Sequence, residues 1–159
     1  MFEGGCGCNA VRFRVTSKPI FVHCCHCREC QRISGTAFAL NAIIEADRVE
    51  LLSGELISAV VPTPSGAGQN IFRCATCMTA VWSNYGSVGD AIHFVRVGAL
   101  DNPEKVPADI HIYIESKQPW VSIPKDIVTA LQYYDRETIW PERSLARRRA
   151  ALGLEDAAS

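Results

Sequence analysis

Apolar and charged residues alternate through Val11-Arg12-Phe13-Arg14-Val15, the period of two that puts one face of a strand in a core and the other in water. Residues 20–22 predict a second strand, entering a cluster of cysteines. Apolar or β-branched runs at 37–44, 49–52, 56–61, 71–73, 80–83, 92–97 and 110–114 predict further strands, with Gly, Pro, Asn and Ser clusters between them. Such a succession predicts a mainly β fold of antiparallel sheets. Residues 62–68, Pro-Thr-Pro-Ser-Gly-Ala-Gly, read as a loop. After Pro124 the pattern changes. Ile127, Leu131 and Tyr134 give a helical spacing over 126–134, and 141–152 predicts a second short helix stopped by Gly153. Arg147, Arg148 and Arg149 make that helix basic; a solvated face is the plain reading, a docking surface for an acidic partner the alternative.

Composition narrows the class. At 159 residues and 17.4 kDa the chain has the size of one domain, and 48% apolar against 21% charged residues excludes intrinsic disorder. Sixteen Lys and Arg against seventeen Asp and Glu leave a formal charge of -1, so no global positive field draws the chain onto nucleic acid or an anionic membrane. The N-terminus shows neither a basic nor an apolar leader region, and the apolar runs fall well short of the roughly 18 residues of a membrane span. A cytoplasmic protein is expected. In that compartment clustered cysteines more often hold metal than form disulfides.

The eight cysteines fall into three groups: Cys6-Gly7-Cys8, then Cys24-Cys25-His26-Cys27-Arg28-Glu29-Cys30, then Cys74-Ala75-Thr76-Cys77. Metal ligands must converge on one ion, at about 2.3 Å for zinc to sulfur, and short intervals let one turn of backbone supply two. The first and last groups together offer four thiolates, the donor set of a closed structural site. Cys25, Cys27 and Cys30, on one short loop, suit a metal with an open fourth position, the catalytic arrangement. Spacing leaves Cys24 or His26 available as a fourth ligand, which would close the second site as well.

The run Gly5-Cys6-Gly7-Cys8-Asn9-Ala10-Val11-Arg12-Phe13, then Cys25-His26-Cys27-Arg28-Glu29-Cys30 and Ser34-Gly35-Thr36-Ala37-Phe38, resembles the glutathione-dependent formaldehyde-activating family, which includes the domain of centromere protein V. Phe72-Arg73-Cys74-Ala75-Thr76-Cys77 with Val81-Trp82, and the segment from His111 through Ser116-Lys117-Gln118-Pro119-Trp120, agree in the same order. The resemblance covers residues 2–123 and implies one zinc domain there, with 124–159 as a C-terminal helical extension. It implies a β-tent of antiparallel sheets and two zincs per chain. The structural zinc would sit on Cys6, Cys8, Cys74 and Cys77, the catalytic one on Cys25, Cys27 and Cys30. The implied activity is that of a carbon-sulfur lyase on an adduct of a small aldehyde with a thiol, such as S-hydroxymethylglutathione. The implied partners are a small-molecule thiol and aldehyde, with a homo-oligomer compatible. Two positions depart from the family's pattern: Met78 stands where it usually has Gly, and Cys24 adds a thiol beside the second site.

Other residues near the motifs carry a role and a plainer reading. His26 could move protons, or be an exposed loop histidine. Arg28 and Arg32 could meet the carboxylates of a glutathione-like thiol, or be solvated charges. Ser34 and Gly35 could form a backbone nest, or a simple turn. His93 and His111 read as structural, Trp82 and Trp120 as packing or pocket wall. Two other functions use the same cysteines. A non-enzymatic zinc scaffold that binds another protein would be favoured by a second site closed by Cys24 or His26, and a thiol redox sensor could use the adjacent Cys24 and Cys25.

Overall fold

The structure, a computed structural model, describes residues 1–63 and 66–154. Each run expected to be a strand forms one, its ends shifted by up to three residues. In chain order the elements are β1 (Phe2–Gly5), β2 (Arg12–Val15), β3 (Phe21–Cys25), α1 (Arg28–Ser34), β4 (Ala39–Glu45), β5 (Val49–Ser53) and β6 (Leu56–Val61). They continue with β7 (Gln69–Cys74), β8 (Ala80–Tyr85), β9 (Ile92–Arg96), β10 (Ile110–Ile112), β11 (Val128–Thr129), α2 (Arg136–Ile139) and α3 (Glu142–Ala151). Of the expected loop 62–68, residues 64 and 65 lie outside the described residues.

The strands form a three-stranded sheet, β1-β2-β5, and an eight-stranded sheet, β11-β10-β3-β4-β9-β8-β7-β6. Pairing is antiparallel except at β10, which runs parallel to both β3 and β11, so the all-antiparallel expectation is corrected at that edge. The long apolar run of β4 exists because both faces of the large sheet are covered. Ala42 and Ile44 point into a core shared with Phe13, Val15 and Trp82, while Ile43 points into a second core with Phe21, Ile110, Ile112 and Trp140. Strand β3 sorts its residues the same way. Phe21 and Cys25 join the second core and Val22 the first.

The helix expected at 126–134 does not form. Val128 and Thr129 instead add β11 to the edge of β10, and the pairing continues as Ala130 N–H donates to the His111 carbonyl at 2.9 Å and Tyr113 N–H to that of Gln132 at 3.0 Å. The apolar positions of this nine-residue stretch share no buried face, since Leu131 is 69% exposed. Satisfying the amides of an open sheet edge therefore outweighs a short helical spacing. Helix α2 starts later, capped by the Asp135 side chain on Glu137 N–H. The second predicted helix does form, as α3, and Gly153 follows it at φ +63°.

The basic stretch of α3 is not simply a solvated face. Arg147 donates to Glu45 Oε1 from Nε at 2.7 Å and to Oε2 from Nη2 at 2.6 Å, a bidentate pair on a buried carboxylate. With Ser144 Oγ on the Ile20 carbonyl at 2.6 Å and Trp140 stacked on Phe21 at 5.0 Å, it fastens the C-terminal segment to the sheet. Burial alone would raise the Glu45 pKa, but Arg147 more than compensates and the net shift is downward. A carboxylate depressed in the native state stabilises the fold above its unfolded pKa of roughly 4.3, and that contribution is lost as pH falls through the native value. Arg147→Ala leaves the Glu45 carboxylate only the longer contact to Arg48 at 3.5 Å; because Arg147 is itself partly exposed, the expected loss is about 2–3 kcal/mol at pH 7, at or below the low end for broken buried pairs. Urea titrations at pH 7 and pH 3 check this, and an equal loss at both pH values would contradict the ionic origin.

Candidate metal centres and the cavity beside them

Two tight turns, one between β1 and β2 and one between β7 and β8, carry Cys6, Cys8, Cys74 and Cys77, and their four sulfurs lie within 4.8 Å of one another. All eight cysteines lie among the described residues and none is disulfide-bonded. Backbone N–H groups point at the sulfurs, Val11 to Cys6 at 3.2 Å and Thr76 to Cys74 at 3.4 Å. The Thr79 side chain and backbone, and then the surrounding thiols and amides, hold the Cys77 pKa down to about 5. Cys6 is shifted down as well, while its neighbours push Cys8 up; four convergent soft donors of this kind suit zinc.

Both turns use a left-handed residue directly after the second cysteine, Asn9 at φ +61° and Met78 at φ +63°. Asn tolerates this conformation, whereas Met carries its steric penalty, with its side chain 50% exposed. The turn still closes, with Met78 N–H on the Cys74 carbonyl and Arg73 on that of Met78, each at 3.0 Å. Met78→Gly is expected to stabilise the protein by about 1 kcal/mol, the left-handed penalty less glycine's greater unfolded-state entropy. A thermal midpoint that stays put or falls would argue that the Met78 side chain contributes something the turn geometry does not reveal.

The second cysteine group is not on one loop, as the spacing implied. Cys25 ends β3, Cys27 caps α1, and Cys30 lies in the first turn of that helix, with the Cys27 sulfur accepting from Cys30 N–H at 3.4 Å. The three sulfurs lie within 4.8 Å of one another. Three thiols this close cannot all ionise unaided. Hydrogen bonds from Cys25 and Cys30 pull Cys27 down to about 2, while hydrogen bonding to Cys27 and Cys30, with burial, drives Cys25 far up. A divalent cation would remove that conflict, so this donor set also suits zinc.

Cys24 and His26 turn the other way. Strand alternation aims them at the opposite face of the sheet, where the parallel register sets His111 beside Cys24. Cys24 Sγ lies 3.6 Å from His26 Nε2, which is 2.9 Å from His111 Nδ1. His26 is fully buried, which corrects its reading as an exposed loop residue, and burial, then the charges at His111 and Lys117, push its pKa down to about 4. Burial also pushes the Cys24 thiol up to about 12.

The cysteine triad opens onto a cavity of about 360 Å³. Ile33, Val88 and Phe94 line it from the sheet and α1 side, Tyr133 and Trp140 from the C-terminal segment. Trp140 Nε1 donates to Tyr134 Oη at 2.5 Å, and that hydroxyl lies 2.6 Å from His23 Nε2, fixing the C-terminal wall to β3. Behind the triad, Gln31 Nε2 donates to the His26 carbonyl at 2.7 Å and the Ser116 carbonyl at 2.9 Å, while Ser116 Oγ also reaches His26 O at 3.0 Å. The Ser116-Lys117-Gln118 segment therefore braces the cysteine turn. Nothing in the spacing marked Gln31 or the aromatic wall; both act only through tertiary contact.

The remaining candidates have structural partners. Arg28 donates to Gln31 at 2.5 Å, and Arg32 pairs with Glu29 at 2.6 Å in solvent; neither lines the cavity. Gly35, at φ +68°, ends α1 in a plain left-handed cap, and Ser34 Oγ bonds the Cys30 carbonyl at 2.6 Å. His93 stacks on Trp82, which packs edge-on against Phe13 in the core. Trp120 is 74% exposed, which corrects its assignment to core or pocket wall.

The family description "Glutathione-dependent formaldehyde-activating enzyme" matches residues 1–116, which include all eight cysteines. The chain belongs to this family. A Halomonas elongata protein named "Putative glutathione-dependent formaldehyde-activating enzyme" is 28% identical over 98% of this chain and 99% of its own length. A Rhodobacter sphaeroides protein of known crystal structure aligns with a TM-score of 0.47 at 20% identity, over 62% of this chain and 87% of that one. In this member of the formaldehyde-activating family the matched region ends at the Ser116 brace, so Tyr133, Arg136, Trp140 and Arg148 of the cavity lie beyond it.

Proposed function

We propose that this chain is a zinc-dependent carbon-sulfur lyase acting on the adduct of a small aldehyde with a thiol, of the S-hydroxymethylglutathione kind. The observation that carries the reading is the division of the run 24–27 between two faces. Cys25 and Cys27 join Cys30 at the cavity, while Cys24 and His26, the nearest candidates for a fourth ligand, face away. Cys25, Cys27 and Cys30 would hold the zinc, and with only three thiolates at the site a fourth position would be left for substrate, where bound zinc would let a thiol be carried ionised at neutral pH. A closed second site would favour a scaffold, and Cys24 and His26, which could close it, group with His111 instead. A redox pair of Cys24 and Cys25 has its sulfurs directed to opposite faces of β3.

The reaction breaks one bond and needs no oxidant. In RS–CH2–OH the carbon-sulfur bond breaks with its electron pair going to sulfur, the carbon-oxygen bond becomes a carbonyl, and the hydroxyl proton passes to the departing sulfur or, where that leaves as thiolate, to solvent. The protein's part is to orient the hydroxymethyl group and exclude water. Burial raises the phenol pKa of both Tyr85 and Tyr113, with the nearby cysteines adding to it, so both cavity residues hold their Oη protons at neutral pH. Those hydroxyls are suited to donate to the hydroxymethyl oxygen, stabilising the charge it carries once its proton is lost and before the carbon-sulfur bond breaks. Nuclear magnetic resonance exchange measurements on glutathione and formaldehyde with the zinc-loaded protein test the reading. Accelerated exchange between free thiol and adduct is expected. An exchange rate no greater than that of buffer plus free zinc, for glutathione and simpler thiols alike, would overturn it.

A further inference from the structure

Two guanidinium groups line the cavity without an ion-pair partner among the described residues. Arg136, at the start of α2, and Arg148, on α3, line the same space as Cys25, Cys27 and Cys30. Among the described residues neither makes an ion pair, whereas Arg147 and Arg149 on either side of Arg148 pair with Glu45 and Glu142. Arg136 Nε is buried without a hydrogen-bond partner. Burial lowers the Arg148 pKa and the Arg136 charge lowers it further, so the two like charges are close enough to repel; Tyr133 and Glu137 offset this only in part. Glu29, which also reaches the cavity, is engaged by Arg32 at 2.6 Å. Buried unpaired donors and adjacent like charges are both unfavourable, and one carboxylate relieves both, because the guanidinium fork matches its two oxygens.

The cavity is small, and apolar and aromatic side chains make up much of its remaining wall, with His23, Asn41, Gln69 and Ser87 among them. Its 360 Å³ lies near the lower limit for ligand pockets, and Ile33, Val88, Phe94, Tyr133 and Trp140 offer surface for a hydrocarbon or aromatic body. Among the described residues Glu29 is the one acid lining the cavity, and Arg32 pairs with it. We infer that Arg136 and Arg148 form a carboxylate clamp, and that the thiol handled here is compact, with an apolar body and one carboxylate, rather than a peptide. This rests on the lyase reading for the thiol's chemistry, while the clamp itself rests on the cavity alone.

A pair of thiol-free probes separates the two. Calorimetry on the zinc-loaded protein with 3-phenylpropanoate and its neutral amide is expected to show the acid binding at least tenfold more tightly, as a charge-assisted hydrogen-bond pair implies. Arg136→Gln and Arg148→Gln are each expected to weaken the acid about tenfold and leave the amide unchanged; Arg148→Lys keeps the charge, loses the fork and should fall between. The acid-to-amide comparison uses the wild-type protein, so it stands even if a variant fails to fold. Equal binding of acid and amide, or variants that bind the acid like wild type, overturns the clamp. In exchange measurements with formaldehyde, 2-sulfanyl-3-phenylpropanoate should have a lower KM than glutathione, and the variants should raise its KM with kcat kept. A lower KM for glutathione overturns the substrate class while leaving the lyase reading intact. Acid binding without any thiol exchange leaves the clamp standing and sinks the lyase reading.

Discussion

Cys74→Ser is expected to abolish folding of the apo-like variant at 37 °C. The four-cysteine group joins the turn after β1, in the small sheet, to the end of β7, in the large one, and Cys74 is its most buried member at 1% exposed. A structural zinc in small domains contributes apparent folding free energy of about 10–16 kcal/mol, against a typical net stability of about 5–15 kcal/mol. Losing one thiolate to an alcohol that ligates poorly therefore removes more than the fold can spare. The core between the sheets, with Phe13, Trp82 and Val95, would lose the clamp that closes it. Chelation of the wild-type protein should produce the same state. Circular dichroism and thermal melts of the purified variant check the expectation; a cooperative melt within a few degrees of wild type would show that packing alone closes the two sheets.

Cys27→Ser should have the opposite character, removing function and leaving structure. Serine is a favourable helix N-cap, so its Oγ can take over the hydrogen bond that the Cys27 sulfur accepts from Cys30 N–H. The cavity walls and the brace through Gln31 and Ser116 do not depend on the Cys27 side chain. Loss of the third thiolate should drop metal content from two zincs to one per chain and lower kcat for adduct cleavage by roughly a thousandfold or more, the scale of a lost metal-assisted step. Elemental analysis paired with a melting curve reads both parts. Two retained zincs, or a variant that unfolds, would contradict the division between a structural and a catalytic centre.

The pairing of cysteines into groups was legible because it depends on local intervals. A C-x-C or C-x2-C pair brings two sulfurs together through one turn of backbone, whatever surrounds it. The strands were legible for the same reason, since alternation and β-branching act within a few residues. What misled was a local pattern facing a non-local competitor. The spacing of Ile127, Leu131 and Tyr134 suits a helix, but the open edge of β10 takes Val128 and Thr129 as a strand. His26 looked exposed because its packing partner His111 lies 85 positions away. Arg147 looked solvated because Glu45 lies 102 positions away.

By itself the sequence determined the mainly β class, the family and the convergence of thiols in groups, since each rests on periodicities or motifs a few residues long. Only the tertiary structure decided that Cys24 and His26 face away from Cys25, Cys27 and Cys30, that α1 rather than a loop presents Cys27 and Cys30, and that the C-terminal segment walls the cavity. Those outcomes depend on which face of a sheet is covered and which strand edge is open. Both are fixed by segments distant in the chain, and no local interval encodes them.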